Sequence, residues 1–321
     1  MGAPEVVHQL RNFDVPLMVI LSGISFAQFS SKRLSSYQKY LFSRFLRLVV
    51  PTWLFLVFYN IIIYWFNHKV PGLKDIVRQV TLTGGTDVGV WIIRLFFSMS
   101  ILAPFLLRLN NSIGDGKKFY FAVAVLYLLY ELSVQVASTT LDHKVYAFIK
   151  LFVFFTVGYG FIFFFGLRSV TWDGKVFQRH MVVLGSIFVF FLLLNFFQLH
   201  AFVDTDTYKF PARIYYVSYA LLASMMFLYL LKFSNAFNFV KSNRFVRFIG
   251  RSTLWIYLWH YFFIKVYHKL HLKNSIVLEY IVIFSVSAAF VYLQTRFVFF
   301  LNQRLNGGVR DGNLMVKIFT G

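Results

Sequence analysis

The stretch "IVLEYIVIFSVSAAFVYLQTRFVFF", residues 276–300, contains only two charged residues in 25. About 20 apolar residues suffice to cross a bilayer, and in lipid every backbone polar group must be bonded internally, so only helices and closed barrels can span. Apolar positions here are continuous and do not alternate as in a barrel strand, which predicts a transmembrane helix. Eight further runs read the same way, at about 14–30, 48–66, 89–107, 119–137, 145–166, 180–199, 211–231 and 252–270. The expected fold is an all-α membrane protein, a polytopic bundle of about nine transmembrane helices forming one domain over residues 1–321.

Composition agrees. Hydrophobic residues make up 59% of the chain and charged ones 14%, against about 25% charged in soluble proteins. Segment 67–88, "NHKVPGLKDIVRQVTLTGGTDV", is too polar to span and reads as an interfacial helix followed by a Gly-Gly turn. The first run is the weakest, being interrupted by Asp14, Pro16, Ser22 and Gly23. Pro16 suits a first helical turn, and Ser22-Gly23 suits a kink or close approach of another helix.

The net charge of +20 would point a soluble chain to nucleic acid. Here the cations gather at the ends of apolar runs, where they anchor helices at anionic headgroups, and no basic-aromatic module accompanies them. With residue 1 outside, the inner segments carry 19 Lys and Arg and the outer ones 10. This bias predicts a cytoplasmic C-terminus. The sequence has no cysteine, which excludes disulfides and thiolate chemistry. No HExxH, P-loop or GxSxG occurs, and the histidines are scattered near span ends, so no metal is expected.

Two features invite chemistry. In "KYLFSRFLRLVVP", Arg44 and Arg47 share a helix face at the inner edge, where two guanidinium forks suit phosphate and where two snorkelling anchors would look the same. In "IGRSTLWIYLWHYFF", Thr253, Tyr257 and His260 stand at i, i+4 and i+7, with Tyr267 continuing the stripe. A polar stripe on an apolar helix faces the bundle interior or a wet cavity. There His260 is either a base or a histidine satisfied by packing. Asp14, at a membrane edge, has both a functional and a structural reading. Arg94, Glu131, Lys150, Glu279 and Arg296 lie within apolar runs and call for partners, Glu279 with a basic neighbour being one example.

Taken together, five segments resemble the integral-membrane acyltransferase-3 family of bacterial O-acyltransferases: "FDVPLMVILSG", "SRFLRLVVP", "GVWIIRLFFSMSILAP", "YKFPARIYYVSYAL" and "IGRSTLWIYLWH". They occur in the family's order over roughly residues 12–300. The resemblance implies transfer of an acetyl group from cytoplasmic acetyl-CoA to a sugar hydroxyl of a surface polysaccharide or lipid-linked glycan, in the bacterial inner membrane. It places Arg44 and Arg47 at the positions implicated in handling the donor, and Trp91 at the family's tryptophan, a weaker candidate for the same cofactor site. His260 falls at the closing histidine, and Asp14 and His260 are the candidate catalytic residues. The family normally has ten helices, the first bearing a basic residue and the principal histidine; that helix is not found here, and His8 stands too close to Asp14 to replace it. Two rival readings remain, a transporter of lipid-linked sugars and a non-catalytic partner in polysaccharide synthesis. Against the transporter, the sequence shows no repeats or paired broken helices.

Overall fold

The computed structural model describes residues 9–33, 36–68, 70–113, 117–234, 243–270, 275–306 and 314–320, and His8 lies outside them. The described secondary structure is helical throughout. The elements are α1 (Asp14–Arg33), α2 (Tyr37–Asn67), α3 (Leu73–Val80), α4 (Trp91–Ile113), α5 (Lys117–Thr140), α6 (His143–Ile149) and α7 (Phe155–Ser169). They continue with α8 (Gly174–Leu199), α9 (Ile214–Phe233), α10 (Arg244–Lys269), α11 (Ile276–Asn306) and α12 (Leu314–Phe319). Among the described residues, eight segments are long and apolar enough to cross a membrane. The remaining expected span, 252–270, lies in α10. That helix of 26 residues is about 39 Å long, ample for a hydrocarbon core of ~30 Å, but its many cations keep its mean hydropathy lower.

The chain divides into two compact units. The first comprises Met1–Ser36 and Ser98–Phe237, the second Tyr37–Phe97 and Asn238–Gly321. In the first unit, α1 packs on α7 through glycine. A Cβ on Gly23 would overlap the carbonyl oxygen of Phe163, and one on Gly166 would overlap that of Ile20. The close approach expected at Ser22-Gly23 is therefore backbone against backbone, where small residues give lipid-embedded helices their largest contact. The expected span 145–166 is a composite of α6, a π-turn at Lys150–Phe154, and α7.

One end of this unit is held by a buried polar network. Glu131 accepts from Arg213 Nε at 2.8 Å and from the Ile214 backbone N–H at 2.6 Å, capping α9. Tyr127 donates to the Ala212 carbonyl at 3.2 Å, and the Tyr130 hydroxyl lies 3.1 Å from the same oxygen. Asn12 reaches Asp204 at 3.0 Å and Thr205 at 3.1 Å. Removed from water, such groups persist only when bonded.

In the second unit, α2 and α10 run side by side in the same direction. Phe55 meets Trp259, and Phe58 meets both Trp259 and Phe262. The short α12 docks where Trp255 Nε1 donates to Ile318 O and Gln294 Nε2 donates to Phe319 O, both at 2.9 Å. The expected interfacial helix is α3, and Gly84 and Gly85 follow it at positive φ, which glycine alone adopts freely. Gln79 on α3 is buried, bonded to Asn60 and to Gly85 O.

Candidate functional site

Four of the five expected site residues, Arg44, Arg47, Trp91 and His260, belong to the second unit, and Asp14 belongs to the first. Arg44 and Arg47 lie in the second and third turns of α2. Arg44 is half-buried with its guanidinium 5.5 Å from the Tyr40 ring centroid, and Arg47 is exposed. Among the described residues neither has a carboxylate partner. Pro51, four residues on, cannot donate the hydrogen bond that the Arg47 carbonyl would accept in a regular helix. One residue later Thr52 Oγ1 donates to Leu48 O at 2.7 Å, which secures the backbone beside the proline.

The polar stripe on α10 faces inward only in part, and its members have distinct tasks. The Tyr257 hydroxyl donates to Gly89 O at 2.7 Å and lies 3.4 Å from the Tyr261 hydroxyl. Tyr267 is buried, whereas Thr253 is exposed and bonds back to its own helix at Ile249 O. His260 is half-buried between the rings of Tyr257 and Tyr261, and its Nδ1 bonds the Tyr257 carbonyl. A carbonyl can only accept, so Nδ1 carries the proton and the lone pair of the neutral ring lies on Nε2.

The register of α2 against α10 sets the distances. His260 is level with about Phe55, eight to eleven residues beyond the arginines, so they stand about 12–17 Å apart along the axis. Trp91 opens α4 six residues, about 9 Å, before Phe97, whose ring meets Phe45 between the two arginines. Trp91 therefore sits towards the Tyr257–His260 level and not beside the arginine pair. At the His260 end, Lys265 forms an ion pair with Asp87. Local spacing carries no sign of this pair, since its members lie 178 residues apart.

Asp14 is occupied locally. Its Oδ1 accepts from the Val15 N–H at 2.6 Å and its Oδ2 lies 3.6 Å from Arg11. Of the ionisable residues in apolar runs, Glu131 finds Arg213, Glu279 finds His268 at 2.9 Å, and Arg296 lies against Tyr292. Lys150 falls in the π-turn. Among the described residues no three His, Asp or Glu side chains converge as metal ligands.

Comparison with known proteins locates this architecture. No curated protein and no solved structure matches the chain. A family model described as an acyltransferase domain matches residues 2–296, taking in α1 through most of α11 and so segments of both units. The protein therefore belongs to the acyltransferase 3 family and is a multi-pass membrane acyltransferase.

Proposed function

We propose that the protein is an O-acetyltransferase of the bacterial inner membrane, taking acetyl-CoA from the cytoplasm and esterifying a sugar hydroxyl of a surface polysaccharide or its lipid-linked precursor. The observation that carries this reading is the pair Arg44 and Arg47, two cations three residues apart with no carboxylate to neutralise them among the described residues. A bare guanidinium pair is suited to a ligand with several phosphates, each fork giving two charge-assisted hydrogen bonds. The excess of cations in the segments expected at the cytoplasmic face supports reading this pair as lying on the side where CoA is found.

In this reading His260 is the general base. The 12–17 Å that separates it from the arginines is on the order of the reach of a phosphopantetheine arm, which holds a thioester away from its phosphates. Nε2 takes the proton of the acceptor hydroxyl as its oxygen attacks the thioester carbonyl. The C–S bond then breaks and the thiolate of CoA leaves, taking up the proton. Trp91, on the His260 side, lines the path of the arm. Asp14 fixes the start of α1 and takes no chemical step.

The test is acetyl ester on surface glycan, read by mass spectrometry in cells that depend on this gene. Arg44→Ala with Arg47→Ala removes charge-assisted bonds worth ~3–6 kcal/mol together, so acetylation drops by roughly 10²–10⁴-fold while the protein stays in the membrane. His260→Ala lowers turnover by about 10²-fold or more with donor binding unchanged. Full acetylation in the double arginine variant would remove the basis of the assignment.

A further inference from the structure

Two further cations of the second unit stand close to the level of the arginine pair. Phe55 meets Trp259 and Phe58 meets Phe262, so α2 and α10 advance in step. Eight residues back from Phe55 and Trp259, about 12 Å along each helix, lie Arg47 on α2 and Arg251 on α10. The helices are still together at this level. Phe45, Leu48 and Val49 of the one and Phe248 and Ile249 of the other pack into the same apolar cluster. Packed helices have axes about 8–10 Å apart, so Arg251 stands beside the pair and not above or below it.

The second cation is carried by α12. Six residues make too short a helix to hold by itself, and α12 is held by its neighbours. Trp255 Nε1 donates to Ile318 O, Phe319 stacks on the Trp255 ring with centroids 5.7 Å apart, and Val316 is buried. Lys317 lies between that buried valine and the carbonyl that Trp255 holds, so its backbone is fixed next to α10. Arg251 comes four residues, one turn, before Trp255 and shares its face. Arg251 is exposed and Lys317 half-buried, and among the described residues neither has a carboxylate partner. Two of the unit's described acids, Asp87 and Glu279, are taken by Lys265 and His268. A single cation at a helix entry is an ordinary headgroup anchor. Here four cations on three helices stand within about two turns of one another along the axis.

We propose that Arg251 and Lys317 form a second phosphate site beside the arginine pair, and that it takes the 3′-phosphate of the CoA ribose. The assignment rests on the acetyl-CoA reading of Arg44 and Arg47. CoA carries a diphosphate on the 5′ carbon of its ribose and a phosphate monoester on the 3′ carbon of the same ring. The two groups are a ribose width apart. A donor whose diphosphate lies on α2 therefore presents its monoester sideways to the next helix, where Arg251 stands. A monoester has about −1.5 to −2 charges at neutral pH and three strong acceptor oxygens, enough for a guanidinium fork and an ammonium together. The other source of the same chemistry is a lipid phosphodiester, which brings less charge.

The experiment measures the affinity of the purified full chain in nanodiscs for CoA and for 3′-dephospho-CoA by isothermal titration calorimetry, with no acceptor present. CoA is expected to bind about tenfold more tightly or better, as one or two charge-assisted bonds provide. Arg251→Gln weakens CoA by about tenfold and leaves 3′-dephospho-CoA within about twofold, which erases the preference. Lys317→Gln acts in the same direction by about threefold, because an ammonium is a point charge without a fork. Arg44→Ala with Arg47→Ala weakens both nucleotides alike, since both keep the diphosphate. Equal affinity of the wild type for the two nucleotides, or an undiminished preference for CoA in Arg251→Gln, would overturn the second site. Its cations would then be headgroup anchors, with the donor reading intact. If the wild type binds neither nucleotide, the donor reading falls and this site with it.

Discussion

Arg213 in one unit and the Arg44–Arg47 pair in the other deal with positive charge in opposite ways. Arg213 stands at the start of α9, an end whose own dipole is positive, and Glu131 neutralises it across 82 residues of sequence while also taking the Ile214 N–H. All of the charge there is consumed inside the fold. The arginines of α2 meet one aromatic ring and no carboxylate among the described residues. A paired cation in a membrane protein maintains structure, whereas the charge of the α2 pair is not consumed by any carboxylate among the described residues.

Removing a partner where charge is consumed has the largest effect on stability. Glu131→Gln leaves Arg213 half-buried without its counter-ion and weakens the cap on α9. The expected loss is about 2–3 kcal/mol, below the ~3–5 kcal/mol of fully buried pairs because Arg213 is partly exposed. Thermal unfolding in detergent reads this, and Glu131→Gln with Arg213→Gln should recover part of it. An unchanged midpoint would place the α9 end under some other restraint.

A change that keeps charge but loses the planar fork probes the other side. Arg44→Lys with Arg47→Lys should leave the unfolding midpoint in place and cut acetylation about tenfold, since lysine offers a point charge where the fork made two bonds. Wild-type activity in that variant would reduce the pair to helix anchors. Asp14→Asn lies between the two cases and gives the smallest effect. It loses an exposed contact to Arg11 and a carboxylate at the start of a helix, worth about 0.3–1 kcal/mol, with acetylation within twofold of wild type. A deep loss of activity would return Asp14 to the chemistry.

The features legible in the sequence are those set by local spacing. The apolar runs became helices, segment 67–88 became α3 and its glycine turn, and Ser22-Gly23 marked the tightest packing of α1. The shared face of Arg44 and Arg47 follows from a separation of three. What stayed hidden depends on residues far apart along the chain. Nothing near Glu131 indicates Arg213, and nothing near Asp87 indicates Lys265. His180 looked like one more histidine at a span end; only the fold shows that Trp172 covers one face of its ring and that a cavity adjoins it. The division into two units was equally silent, because its boundary at 97/98 falls inside the uninterrupted helix α4.

The wide turn at Lys150–Phe154 has a consequence for how this chain tolerates change. A π-turn holds about one residue more than a regular turn, so the surplus is absorbed within the wide turn and α6 keeps its phase relative to α7. Deleting a single residue there would restore ordinary winding with His143–Ile149 still presenting the same side chains, whereas the same deletion in a regular turn of α7 would swing the preceding helix around its axis by about 100°. The surplus residue can thus be lost without changing which side chains of α6 the protein shows to its surroundings.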